Sequence, residues 1–66
     1  MRIHFNGQLL ELPDASCISQ LLQSQQLGER RVAVEVNGSI VPRSRHDEYL
    51  LRDGDAVEVV QALGGG

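Results

Sequence analysis

The chain has 66 residues, 41% of them apolar, and a formal net charge of −3. That length makes one domain, and a chain so short buries only about 60% of its unfolded surface on folding. All six cations are arginine, and they form no basic stripe for nucleic-acid phosphates. No apolar run approaches the roughly 20 residues of a membrane span. Cys17 is the single cysteine, which excludes an internal disulfide. Met1 opens no basic and apolar leader, so a cytoplasmic protein is expected, steered by its acidity toward a basic partner surface.

Met1-Arg2-Ile3-His4-Phe5 alternates apolar and polar residues, the period of a half-buried strand. Asn6-Gly7 follows, a hairpin signal because both central residues of a type I′ turn take positive φ. Gln8-Leu9-Leu10-Glu11-Leu12 returns as a second strand ended by Pro13. Leu10 and Leu12 share one face, which leaves Leu9 as the odd apolar residue.

Asp14-Ala15-Ser16-Cys17 offers helix-capping side chains. Ile18, Leu21 and Leu22 then fall at i, i+3 and i+4, one apolar stripe. The spacing predicts a helix over 16–27, with Gly28 in the positive-φ position beyond its end. Val32, Val34 and Val36 alternate with Ala33 and Glu35 as a third strand. Asn37-Gly38 is a second hairpin signal, and Ile40-Val41 returns until Pro42 stops it. Residues 43–48 read as polar and loop-like, and Tyr49-Leu50-Leu51 as a cover over one end of the core. Asp53-Gly54-Asp55 is a turn, and 56–61 is the last strand, with Val57 and Val59 inward. The order is β-β-α-β-β-β, an α+β domain with a mixed sheet of four to five strands and one helix across it.

The domain is expected to span 1–62 and the remaining 63–66 to be a flexible glycine tail. Glycine loses the most backbone entropy on ordering, and Gly64-Gly65-Gly66 has no side chain to block a narrow cleft. Three extended residues reach about 10 Å. The one chemically distinct group there is the terminal carboxylate of Gly66. A bland alternative is a frayed end, as chain termini commonly are. Strand alternation puts Val60 and Ala62 on the face opposite Val57 and Val59, with Ala33 and Glu35 on the matching face of the third strand. Exposed apolar residues beside the tail would form a docking patch, although single exposed apolar residues are ordinary.

Other chemistry finds little support. Cys17 near a helix start could favour a thiolate, but cysteines commonly fill cores as small apolar residues. His4 and His46 lack a second histidine at ligand spacing, and Asp53-Gly54-Asp55 lacks the further oxygens of a calcium loop. Neither G-x-x-x-x-G-K-[ST] nor G-x-G-x-x-G occurs, so the chain has no ATP site of its own. It binds no metal or cofactor on this reading, and no nucleophile-elbow motif marks it as a hydrolase.

Four runs carry a family resemblance. They are Cys17-Ile18-Ser19-Gln20-Leu21-Leu22, the hairpin from Val34 to Arg43 with its Val-Asn-Gly and Val-Pro-Arg, the run Asp53-Gly54-Asp55-Ala56-Val57-Glu58-Val59-Val60, and the end Gln61-Ala62-Leu63-Gly64-Gly65-Gly66. Together they resemble the ThiS family of thiamine-pathway sulfur carriers, within the ubiquitin-like β-grasp superfamily. One departure is Cys17, which stands where the fold often has Thr or Ser. The resemblance implies that Gly66 is adenylated by an E1-like enzyme using ATP and magnesium, then converted to a thiocarboxylate. Gly64 and Gly65 would thread into the partner, Leu63 would anchor at the tunnel mouth, and Val60, Ala62, Ala33 and Glu35 would dock. The implied partners are the adenylating enzyme, a thiazole synthase accepting sulfur at a lysine-bound sugar imine, and a persulfide enzyme supplying it. The chain is then a co-substrate, not an enzyme. Alternatives are a carrier like the molybdopterin-synthase small subunit, an isopeptide-forming modifier, or an interaction module with an inert tail.

Overall fold

The computed structural model describes residues 1–61. Strands β1 (Arg2–Phe5) and β2 (Gln8–Glu11) precede helix α1 (Ile18–Ser24); β3 (Val32–Val36), β4 (Ser39–Val41), a 3₁₀ turn (Arg43–Arg45) and β5 (Ala56–Gln61) follow. The five strands form one sheet in the order β2-β1-β5-β3-β4. Both Asn-Gly pairs take the positive φ of type I′ turns, Asn6 at 49° with Gly7 at 84° and Asn37 at 52° with Gly38 at 87°. Each joins an antiparallel pair, β1 to β2 and β3 to β4. The last strand inserts between the two hairpins, parallel to β1 and antiparallel to β3.

Alternation along each strand sends Ile3, Val34, Val36, Val41 and Val57 to one face, where they meet Ile18, Leu21 and Leu22 of α1 and Leu51 in the core. Full burial of each such side chain is worth about 1.5–3 kcal/mol. Cys17 is buried beside them. No helix among the described residues is long and apolar enough to cross a membrane.

The helix is shorter than its capping residues and Gly28 suggested. It stops at Ser24, because after Leu22 the stripe positions carry Gln25 and Gln26. Gln26, not Gly28, takes the positive φ, at 62°. The Gln26 N–H bonds to Gln23 O at 3.0 Å and the Leu27 N–H to Leu22 O at 2.7 Å, the two bonds of a Schellman ending. Leu27 thereby turns back onto the core.

The helix start combines a capping box of Cys17 and Gln20 with backbone partners from a distant loop. The N–H of Ile18 donates to Tyr49 O and that of Ser19 to His46 O, both at 3.1 Å. Gln20 Oε1 accepts from the N–H of Cys17 at 2.8 Å. Loop carbonyls therefore satisfy the N–H groups of Ile18 and Ser19 while the Cys17 side chain accepts from that of Gln20, so cysteine serves at the N-cap position. The polar stretch 43–48 is exposed as expected except at His46. Only 5% of the His46 surface is exposed, and its Nε2 donates to Val41 O at 3.0 Å.

Candidate functional site

Two groups of residues were expected to work together: the glycine tail and the sheet face beside it. Ala62, Leu63, Gly64, Gly65 and Gly66 lie outside the described residues. What leads to them is strand β5, and its anchoring is the first structural fact of the site. The strand has a hydrogen-bonded neighbour on each side. Its register with β3 runs without interruption from Val36 opposite Val57 to Val32 opposite Gln61.

On the β1 side the ladder stops at Phe5 opposite Val57, but Asn6 extends the hold there and Asn37 does so on the β3 side. Asn6 Oδ1 accepts from the Val59 N–H at 2.8 Å while its Nδ2 donates to Val59 O at 3.3 Å. At the other end of β5, Asn37 Oδ1 accepts from the Ala56 N–H at 2.9 Å and its Nδ2 donates to Asp55 Oδ1 at 3.0 Å. The turn asparagines are thus also clamps on β5. The sequence showed them only as turn residues.

The outer face follows from the register. Val60 is 60% exposed and stands opposite Ala33, also exposed. Glu35 stands opposite Glu58 on one side and opposite Ile40 on the other. Three of the expected docking residues, Val60, Ala33 and Glu35, therefore share one surface. Sequence reasoning missed Glu58 and Ile40, which complete it. Alternation alone puts Glu58 in phase with Val60, and the Asn37-Gly38 turn fixes Ile40 opposite Glu35; both signals were available. His4 lies on the same outer face, paired with Leu9 and Ala56.

The electrostatics of this face are unbalanced. Like charges directly opposed across two strands are destabilising, yet neither Glu35 nor Glu58 has an ion-pair partner among the described residues. A face with two adjacent carboxylates flanked by exposed Val60 and Ile40 is complementary to an apolar surface bearing a guanidinium or ammonium. His4, on the outer face, and buried His46 are not brought together, and no cluster of three metal-ligating side chains occurs among the described residues.

A family model described as "ThiS family" matches residues 3–66. The chain is 35% identical over 66 residues to a thiazole synthase of Paramagnetospirillum magneticum, a match covering all of this chain and 20% of that protein. It is 42% identical over 53 residues to sulfur carrier protein ThiS of Bacillus subtilis, 80% of each chain being covered. It therefore spans a fifth of the thiazole synthase but most of the carrier. The crystal structure of a thiamine biosynthesis protein (ThiS) from Geobacter metallireducens matches with a TM-score of 0.85 at 30% identity, each chain covered completely. With a five-stranded sheet grasping one helix and a family match extending over nearly every residue, the chain belongs to the ThiS family and has the ubiquitin-like β-grasp fold.

Proposed function

We propose that this chain is a sulfur carrier for thiazole formation in thiamine biosynthesis, acting in the cytoplasm as a co-substrate rather than a catalyst. One observation supports this above the others: the family match runs through Gly66 while the strand leading there is the central strand of the sheet, held by β3 as far as Gln61 and on the β1 side as far as Val59. A firm root followed by five residues, 62–66, suits delivery of a terminal group about 17 Å beyond the domain. Gly64 and Gly65 carry no side chain, so a channel that admits backbone admits them.

The chemistry of the carboxylate dictates the partners. A carboxylate is a poor electrophile, because its charge is delocalised and oxide is a bad leaving group. An E1-like enzyme using ATP and magnesium joins a carboxylate oxygen of Gly66 to the α-phosphorus, and pyrophosphate leaves. A sulfur nucleophile then attacks the acyl carbon and AMP leaves with the original carboxylate oxygen. When the nucleophile is a persulfide, a thiol cleaves the remaining S–S bond, is itself oxidised to a disulfide, and the thiocarboxylate is released. That ionised sulfur is the donor to a thiazole synthase.

The outer face of Val60, Ala33, Glu35 and Glu58 is the docking surface in this reading, and Ala62 and Leu63 are the further residues assigned to docking. Mass spectrometry tests the proposal directly. Incubated with the adenylating enzyme, ATP, magnesium and a persulfide donor, the chain gains the mass difference between sulfur and oxygen at its C-terminus. A chain lacking Gly65 and Gly66 gains nothing and keeps its fold. An unchanged mass in the full chain with a competent enzyme, or isopeptide conjugates in its place, overturns the reading.

A further inference from the structure

Arg43 ends the Val-Pro-Arg run, and the sulfur chemistry of the tail makes no use of it. Its guanidinium has no ion-pair partner among the described residues, and the same is true of Arg30. The two line one cavity of about 240 Å³, together with Ser19, Val32, His46 and Asp47. Val32 is the residue that pairs with Gln61, so the cavity sits at the end of the sheet from which the tail departs.

Size limits the occupant. Pockets for larger organic ligands begin near about 300 Å³, and this one has room for about eight waters at roughly 30 Å³ each. It fits a hydrated ion or a small fragment. Charge selects the sign: two guanidiniums against the one carboxylate of Asp47 favour an anion, and a guanidinium presents paired donors to an oxyanion. The main-chain N–H of Ser19 and the Nε2 of His46 are already committed to His46 O and Val41 O. Helix α1 and the imidazole Nε2 therefore take no part.

Asp47 decides which oxyanion. One of its oxygens accepts from the Ser19 hydroxyl, and the carboxylate can only accept while ionised. A fully deprotonated anion meets repulsion there. An oxyanion that keeps a hydroxyl donates it to Asp47 and turns its charged oxygens to the arginines.

We infer that this cavity is a site for hydrogen phosphate, with Arg30 and Arg43 on the charged oxygens and Asp47 reading the P–OH. The test is an amide chemical-shift titration of the full ¹⁵N-labelled chain near neutral pH, against sodium chloride of matched ionic strength. Inorganic phosphate shifts the amides of Ser19, Gly28, Arg30 and Asp47 along saturating curves. Sulfate, which has no hydroxyl at that pH, binds severalfold more weakly, the worth of one hydrogen bond lost at the exposed Asp47 carboxylate. R30Q and R43Q each weaken phosphate about tenfold with dispersed, folded spectra. D47N brings sulfate up toward phosphate, because an amide can donate. Glycerol phosphate as competitor separates the two sources: displacement of phosphate assigns the site to a phosphorylated small molecule, and no displacement to the free ion. Equal responses to phosphate and sulfate overturn the hydroxyl readout. Shifts that match chloride, or that persist in both arginine variants, overturn the site.

Discussion

Asn6 and Val59 are joined by two hydrogen bonds, the main-chain N–H of Val59 to Asn6 Oδ1 and Asn6 Nδ2 to the carbonyl of Val59. The side-chain amide thereby imitates one more rung of the β1–β5 ladder, at a position where β1 has already turned away into Gly7. Asn37 secures the opposite end of β5 through Ala56. Each asparagine also supplies a positive φ, so one residue type meets two demands at once.

Replacing Asn6 separates these demands. Asn6→Gly keeps the turn but loses the clamp, and is expected to cost about 1–2 kcal/mol, the worth of one to two hydrogen bonds. Asn6→Ala also places a Cβ at positive φ and is expected to cost about 1–2 kcal/mol more. Urea unfolding at unchanged m-value measures both, and hydrogen exchange at the Val59 amide should quicken in each variant. Equal stabilities for the two variants would contradict the double role.

The Glu35–Glu58 opposition predicts effects of opposite sign on stability and on docking. Glu58→Gln removes a like-charge contact on an exposed face and is expected to stabilise the free domain by about 0.2–1 kcal/mol. If the proposed function holds, the same change should slow association with an adenylating enzyme and flatten its dependence on salt. Val60→Arg should weaken that association while far-UV circular dichroism stays unchanged, since Val60 is 60% exposed. Loss of structure in the Arg variant would show that Val60 is part of the core.

Gln26 carries the positive φ of the Schellman ending at 62°. A side chain there costs about 1 kcal/mol relative to glycine. Gln26→Gly is therefore expected to raise stability by about 0.5–1 kcal/mol, read as a higher urea midpoint. Gly28→Ala should have little effect by comparison, because an added Cβ meets nothing closer than 3.7 Å. A destabilised Gln26→Gly would mean that the glutamine side chain contributes contacts outweighing its backbone strain.

The amino group of Met1 lies 2.9 Å from Asp14 Oδ1 and 2.7 Å from Leu12 O. The hydrogen bond to the Asp14 carboxylate raises its pKa above the ordinary 8.0; partial desolvation opposes this, and the charges of Asp14, Asp53 and Glu11 add to it. A folded-state value above the unfolded one means that the contribution to stability is complete below about pH 8. It is then lost as pH rises through the folded value. While carboxylates are ionised, from about pH 6 to about pH 8, the melting temperature of the native chain should exceed that of Asp14→Asn by a constant margin, and the margin should shrink above that range. A margin independent of pH would assign the effect of Asp14 to something other than this pair.

Local rules make much of this fold legible in the chain itself. Two Asn-Gly turns, the Ile18-Leu21-Leu22 stripe and the alternating valines are short-range patterns, and each element formed where its period indicated. The helix ends were not legible. Their partners come from distant residues, as when His46 O meets the Ser19 N–H, and from a glutamine accepting a backbone angle that glycine would have taken more easily. His46 read as part of a polar loop because its neighbours Asp47 and Glu48 are polar. Its burial depends on a carbonyl of β4 that needed a donor.

The amino-acid order by itself determined the two hairpins, the inward set of valines and the side-chain-free end at Gly64-Gly65-Gly66, since all of these rest on backbone preferences within a few residues. Only the tertiary structure decided that β5 lies between β1 and β3. That placement brings Glu58 against Glu35, Val60 against Ala33 and Arg43 into one cavity with Arg30. Strand order is settled by which arrangement buries the sheet's inner face and the helix stripe together, a sum over the whole chain that no local window contains.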